Sequence, residues 1–182
     1  GRGARKLIER GFETTGAPAE AEALDGHVAA FLAHYAAHIA DGSVPFPGAR
    51  DELARLRAEG HTLGVCTNKP EALTHLLLDR LGLSPHFSAI LGADTLPVRK
   101  PDPRHLMETI VRAGGDPKRA VMIGDSEIDA ETAKAAGVKL VIFTFGYSAF
   151  DPATFGADAL LHGYDELPAA LARIAATLPG QP

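Results

Sequence analysis

The sequence predicts an α/β fold: a parallel sheet with helices on both faces, preceded by a small unit built only of helix. Three observations predict it. Beyond residue 48, short apolar runs bounded by turn residues alternate with segments of helical period, the pattern of strands joined by helical crossovers. Before residue 43 only the helical period is present. Polar and charged residues gather just after three of the apolar runs, at the edge where open parallel sheets bind ligands.

Taken in order, Gly1 to Phe12 reads as a short helix with Leu7, Ile8 and Phe12 on one stripe. Gly16 to Gly42 reads as an alanine-rich helix with Val28, Phe31, Leu32, Tyr35 and Ile39 at steps of three and four. Ser43 to Gly48, with two prolines and a glycine, suits a hinge. A helix over Ala49 to Glu59, carrying Leu53 and Leu56, stops at Gly60. Four buried strands are expected at Thr62 to Cys66, Ala89 to Leu91, Ala120 to Ile123 and Lys139 to Phe143. Helices are expected at Pro70 to Leu81, Pro103 to Ala113 and Glu127 to Ala136, with Glu166 to Ala176 closing the chain.

The 182 residues are 46% hydrophobic and 23% charged, enough apolar side chain for the core of one main domain. The formal charge is −5, and no basic run tracks a phosphate backbone, so nucleic acid is not an expected partner. Charged residues or histidines interrupt every apolar run before it could span a bilayer, so a soluble protein without a membrane partner is expected. Cys66 is the single cysteine, which excludes an internal disulfide and suits a reducing, cytoplasmic setting. The eight histidines lack the paired spacing of a zinc site. The chain starts at Gly1 rather than Met, and a preceding segment is expected.

Three strand ends carry the candidate chemistry. At the first, Thr67-Asn68-Lys69-Pro70-Glu71 has two readings: Asn68 and Glu71 form a capping box, or the Thr67 hydroxyl and the helix N-terminus bind an anion. At the second, Asp102 before Pro103 reads as a helix cap, while Lys100 is either a solvated surface charge or a point charge presented to a phosphate. At the third, Gly124-Asp125-Ser126-Glu127-Ile128-Asp129, Ser126 and Asp129 have the spacing of a capping box. Capping does not explain Asp125, a carboxylate at the end of an apolar strand. It needs a cation or hydrogen bonds, and magnesium suits so few carboxylates supplemented by substrate oxygens. Together the three ends supply a hydroxyl, an ammonium and a carboxylate pair, a set suited to a phosphoryl group beside a metal.

The ordered set Thr67-Asn68-Lys69, Lys100-Pro101-Asp102-Pro103, Gly124-Asp125-Ser126-Glu127-Ile128-Asp129 and Ala135-Ala136-Gly137 resembles the haloacid dehalogenase superfamily. Within it the likeness is to phosphoglycolate phosphatases, through Gly1-Arg2-Gly3, Phe145-Gly146-Tyr147-Ser148, and Ala157-Asp158-Ala159 before Asp165-Glu166-Leu167. The resemblance implies a helical cap over residues 1–43, incomplete at its N-terminus, and a Rossmann-like core over residues 44–182 lacking its first strand. It implies a Mg2+-dependent phosphatase acting on a small phosphate ester such as 2-phosphoglycolate, as a monomer or homodimer. Thr67, Lys100 and Asp129 are the implied catalytic residues, with Thr67, Asn68, Lys100 and Arg2 toward substrate and Asp125 toward the metal. Arg5 and Lys6 are further candidates for the glycolate carboxylate.

The same resemblance requires an Asp-x-Asp motif, one aspartate becoming phosphorylated and the other serving as acid and base. No Asp-x-Asp occurs in the chain. It is expected upstream of Gly1, on a central strand between those ending at Thr67 and Asp125, and the fragment alone is expected to be inactive. The alternatives are another reaction of the superfamily, as sugar-phosphate phosphatase, mutase or phosphonate hydrolase, or a non-catalytic phosphate-binding regulatory protein.

Overall fold

The computed structural model describes residues 4–16 and 21–178. The first two helices, α1 (Ala4–Thr15) and α2 (Ala21–Ala37), pair with each other, the Phe12 ring resting 5.0 Å from that of His27. On α2 the expected stripe holds for Val28, Phe31, Leu32 and Tyr35, which are half-buried beside buried Leu24, but the helix ends at Ala37, so the expected helix to Gly42 is too long and buried Ile39 lies in the turn that follows. On α1 it is narrower than expected, because Leu7 is 58% exposed and only Ile8 and Phe12 turn inward.

The remainder runs α3 (Ala49–Ala58), β1 (Gly64–Cys66), α4 (Glu71–Arg80), β2 (Ala89–Leu91), α5 (Pro103–Arg112), β3 (Val121–Gly124), α6 (Glu127–Ala136), β4 (Lys139–Phe143), β5 (Ala159–Leu161) and α7 (Leu167–Ala175). Every strand pairing is parallel. β4 shows why the layers form. Successive side chains on a strand point to opposite faces. Leu140 and Ile142 meet Leu106 of α5 and Ala130 and Ala133 of α6, while Val141 and Phe143 meet Leu56 of α3 and Leu167, Ala170 and Ile174 of α7. A strand apolar on both faces can be buried only between two helical layers.

Two features differ from the sequence reading. A fifth strand, β5, lies beside β4 with Val141 opposite Ala159 and Phe143 opposite Leu161. Its three residues contain no β-branched side chain. Pairing holds it instead: the Asp158 carboxylate accepts from the Leu140 amide at 2.8 Å and from Lys139 Nζ at 2.7 Å. Second, the described strands form two sheets, β1-β2 and β3-β4-β5. Between the outer edges of β1 and β3 runs a trough of about 820 Å³, lined by Gly64, Cys66, Met122, Leu56, Leu106, Ile110 and Leu167.

Ile142 is fully buried between both layers. Ile142→Ala is expected to lower unfolding free energy by about 2–5 kcal/mol through lost transfer energy and a cavity, measured by urea denaturation.

Candidate active site

The loops after β1, β2 and β3 converge at the carboxyl edge of the strands, joined by hydrogen bonds from one loop to the next. After β1, the Thr67 amide donates to the Leu91 carbonyl, continuing the β1-β2 ladder, and Thr67 Oγ1 accepts from the Lys69 amide at 3.1 Å. That contact engages the hydroxyl oxygen as acceptor and leaves its hydrogen to donate elsewhere. The Asn68 side chain reaches across to the next loop, Nδ2 donating to the Lys100 carbonyl at 3.0 Å. This corrects the capping-box reading of Asn68 and Glu71. The first-turn amide of α4, that of Glu71, is satisfied by Asp94 Oδ1 at 2.7 Å, and the Glu71 carboxylate accepts from the Thr95 hydroxyl. A cap supplied from the following loop frees Asn68 to tie the site together.

Asp102 caps α5 as expected, accepting from the Arg104 amide at 3.0 Å. The Arg104 guanidinium holds its carboxyl down to about 2, so Asp102 is committed to the cap. Lys100, two residues earlier, turns inward. Its Nζ donates to Asp129 Oδ1 at 2.6 Å, and the two side chains are only 11% and 6% exposed. The solvated-lysine reading therefore fails. The other Asp129 oxygen, Oδ2, accepts from the amides of Asp125 and Ser126, both at 3.2 Å, and from the Ser126 hydroxyl at 2.8 Å, completing the capping box of α6. Asp129 thus closes a helix end with one oxygen and binds a lysine with the other. Burial alone would raise its carboxyl, but the Lys100 charge and the bonds from Lys100, Ser126 and Asp125 hold it below the ordinary carboxylate range.

Asp125 is half-buried, and its Oδ2 accepts from the Tyr147 amide at 3.0 Å. Among the described residues no cation pairs with it. A Cβ on Gly146 would lie 2.2 Å from Asp125 Cβ, and one on Gly124 2.5 Å from the Asp129 carboxylate carbon. Both glycines are there because backbone must approach those two carboxylates closely. A half-buried carboxylate with a single amide donor is a hard oxygen site, and Mg2+ accepts one or two such ligands with the rest from water and phosphate. The residues present fit that ion.

Sequence reasoning located Thr67, Asn68, Lys100, Asp125 and Asp129 at this edge. It missed the Tyr147 amide on Asp125, and the Glu127 carboxylate accepting from the Ser148 hydroxyl at 3.1 Å. Phe145-Gly146-Tyr147-Ser148 carried a signal only as a stretch of likeness. Arg2 lies outside the described residues. Arg5 and Lys6 pair with carboxylates of their own unit, Arg5 with Asp25 and Glu9 and Lys6 with Glu9 at 2.8 Å.

Comparison with known proteins identifies the family. Residues 6–143 match the haloacid dehalogenase-like hydrolase family, and the chain belongs to that family. It is 46% identical to a phosphoglycolate phosphatase of Caulobacter vibrioides, covering 98% of this chain and 76% of the relative. It is 44% identical to one from Mesorhizobium japonicum, covering 94% and 76%. Among solved structures, a predicted phosphoglycolate phosphatase from Haemophilus somnus shares the fold with a TM-score of 0.84 at 24% identity, covering 91% of this chain and 74% of that one. CbbY from Rhodobacter sphaeroides, solved with phosphate, superposes with a TM-score of 0.79 at 25% identity, covering 94% and 79%.

The buried pair makes two linked predictions. Lys100→Met leaves a buried carboxylate without its cation and is expected to cost about 3–5 kcal/mol, with Lys100→Met/Asp129→Asn recovering part of the loss. Folding lowers the Asp129 carboxyl, so its contribution is complete above the unfolded value of about 3.9 and is lost as pH falls through the folded-state value. Urea unfolding from about pH 6 to about pH 3 is expected to show a shallower acid-side decline in Asp129→Asn than in wild type.

Proposed function

We propose that this chain is a magnesium-dependent phosphatase that hydrolyses 2-phosphoglycolate. The observation that carries the reading is the continuous chain of hydrogen bonds from Asn68 through Lys100 and Asp129 to Asp125, which gathers a phosphoryl-binding set at one sheet edge. The choice of ester follows the phosphoglycolate phosphatases to which the chain is similar over nearly its whole length. In this role the Thr67 hydroxyl donates to a phosphoryl oxygen, with Asn68 beside it fixing the loop. Lys100 places its ammonium against the charge that builds on the transferred group, and Asp129 holds that ammonium in place and maintains its orientation. Phosphoryl transfer depends on such positioning and on offsetting charge at the oxygens. Asp125 is the metal ligand; bound there, Mg2+ supplies Lewis-acid stabilisation of the same oxygens.

The nucleophile in this reading is an aspartate on a strand preceding Gly1, seated in the trough between β1 and β3. Two facts support the placement. The trough is walled by apolar side chains of both helical layers, and among the described residues no strand pairs with the β1 and β3 edges that face it. The carboxylate would attack phosphorus as glycolate leaves, and water would then hydrolyse the acyl phosphate. No described helix is long and apolar enough to cross a membrane; we assign the enzyme to the cytoplasm, as a monomer or homodimer.

The full-length protein is expected to release phosphate from 2-phosphoglycolate with magnesium and to stop when a chelator is added. Thr67→Ala is expected to lower kcat by about 100- to 1,000-fold, the usual effect of removing one charge-stabilising donor. Absent or chelator-insensitive release would overturn the proposal.

A further inference from the structure

Lys69 lies between the two units of the molecule and is the third residue after β1, two positions beyond Thr67. Its side chain turns away from the sheet toward α2. Lys69 Nζ donates a hydrogen bond to the Tyr35 hydroxyl and sits 4.3 Å from the centroid of the Tyr35 ring. Both residues are half-buried. Tyr35 is braced in turn, since the Phe31 ring one helical turn earlier stacks on it at 5.9 Å with planes only 5° apart.

This lysine differs from the others near the site. Lys100 is neutralised by Asp129, and Lys6 by Glu9. Among the described residues no carboxylate lies within ion-pair distance of Lys69. Its partner is an aromatic ring and a hydroxyl, which orient an ammonium without cancelling its charge. An ammonium has three donors, of which Tyr35 uses one. The Tyr35 oxygen accepts that bond, so its own hydrogen also remains to be donated. The result is two donors, one charged, held side by side where the loop that carries Thr67 meets α2.

We infer that Lys69 and Tyr35 form the recognition point for the substrate's carboxylate, and that they set selectivity for carboxylated phosphate esters. The inference rests on the phosphatase reading above and deepens it. Thr67 and Lys69 stand on one loop, and two residues of extended chain span at most about 7 Å, so their backbone positions are close enough for both to address one small molecule. A carboxylate has two oxygens, one for the ammonium and one for the phenol, and the charge-assisted bond is the stronger. Because one donor comes from the loop after β1 and the other from α2, the same contact makes the helical unit part of the substrate's binding site.

The test compares kcat/KM for 2-phosphoglycolate with that for p-nitrophenyl phosphate, which has no carboxylate, using the full-length protein. Lys69→Met is expected to reduce the ratio by about 10- to 100-fold, the size of a hydrogen bond to a charged group, mainly through KM for phosphoglycolate. Tyr35→Phe is expected to reduce it less, because it removes a neutral donor, and Lys69→Arg, which keeps the charge, to stay nearer wild type than Lys69→Met. A wild-type preference for phosphoglycolate that survives both Lys69→Met and Tyr35→Phe would overturn this inference and leave the phosphatase reading standing. No wild-type preference for the carboxylated ester would overturn the choice of substrate and this inference together.

Discussion

Lys100 and Asp129 meet with their charges almost removed from water, and the candidate site is organised around that contact. A buried ion pair of this kind adds little net stability, because the desolvation of both groups offsets their attraction. Its value lies in geometry. One oxygen of Asp129 is committed to the amides that open α6, so the helix start fixes the carboxylate, and the carboxylate fixes the ammonium. The Lys100 carbonyl then receives Asn68, which carries the order back to the loop holding Thr67. Three loops from separate strands behave as one object because each is bonded to the next.

Electrostatic compensation separates the groups that hold the site together from those available to a ligand. Asp102, Asp129, Arg5 and Lys6 have their opposite charges beside them. Among the described residues no opposite charge pairs with Asp125, which accepts from an amide, or with Lys69, which meets a tyrosine. A carboxylate suited to a cation therefore stands just after β3, and an ammonium suited to an anion stands on the loop that carries Thr67. In the proposed reading they serve a small ester with two anionic groups and its divalent ion, with the helical unit and the sheet edge both contributing to binding.

Much of this was legible in the sequence, and the reasons are specific. The alternation of short apolar runs with helical segments defined α3 to α7 and β1 to β4 within a few residues, because burial on two faces demands continuous apolar strands. The order of Thr67, Lys100, Asp125 and Asp129 at strand ends was visible because turn residues mark those ends. β5 was not, since Ala159-Leu160-Leu161 has no strand propensity and exists through pairing with β4 and the grip of Asp158. Asn68 was open to misreading for a similar reason: its spacing from Glu71 fits a capping box, and only the approach of Asp94 from a distant loop shows that the cap is already filled.

The sequence by itself determined the layered α/β architecture and which residue types stand at the ligand edge, because periodicity and turn chemistry are local properties of the chain. Only the tertiary structure decided which of those residues neutralise one another. Lys100 and Asp129 are 29 positions apart, and Tyr35 and Lys69 34 apart. Pairing over such separations depends on how helices and strands pack, and packing determines whether a charge is already satisfied or still free to hold a ligand.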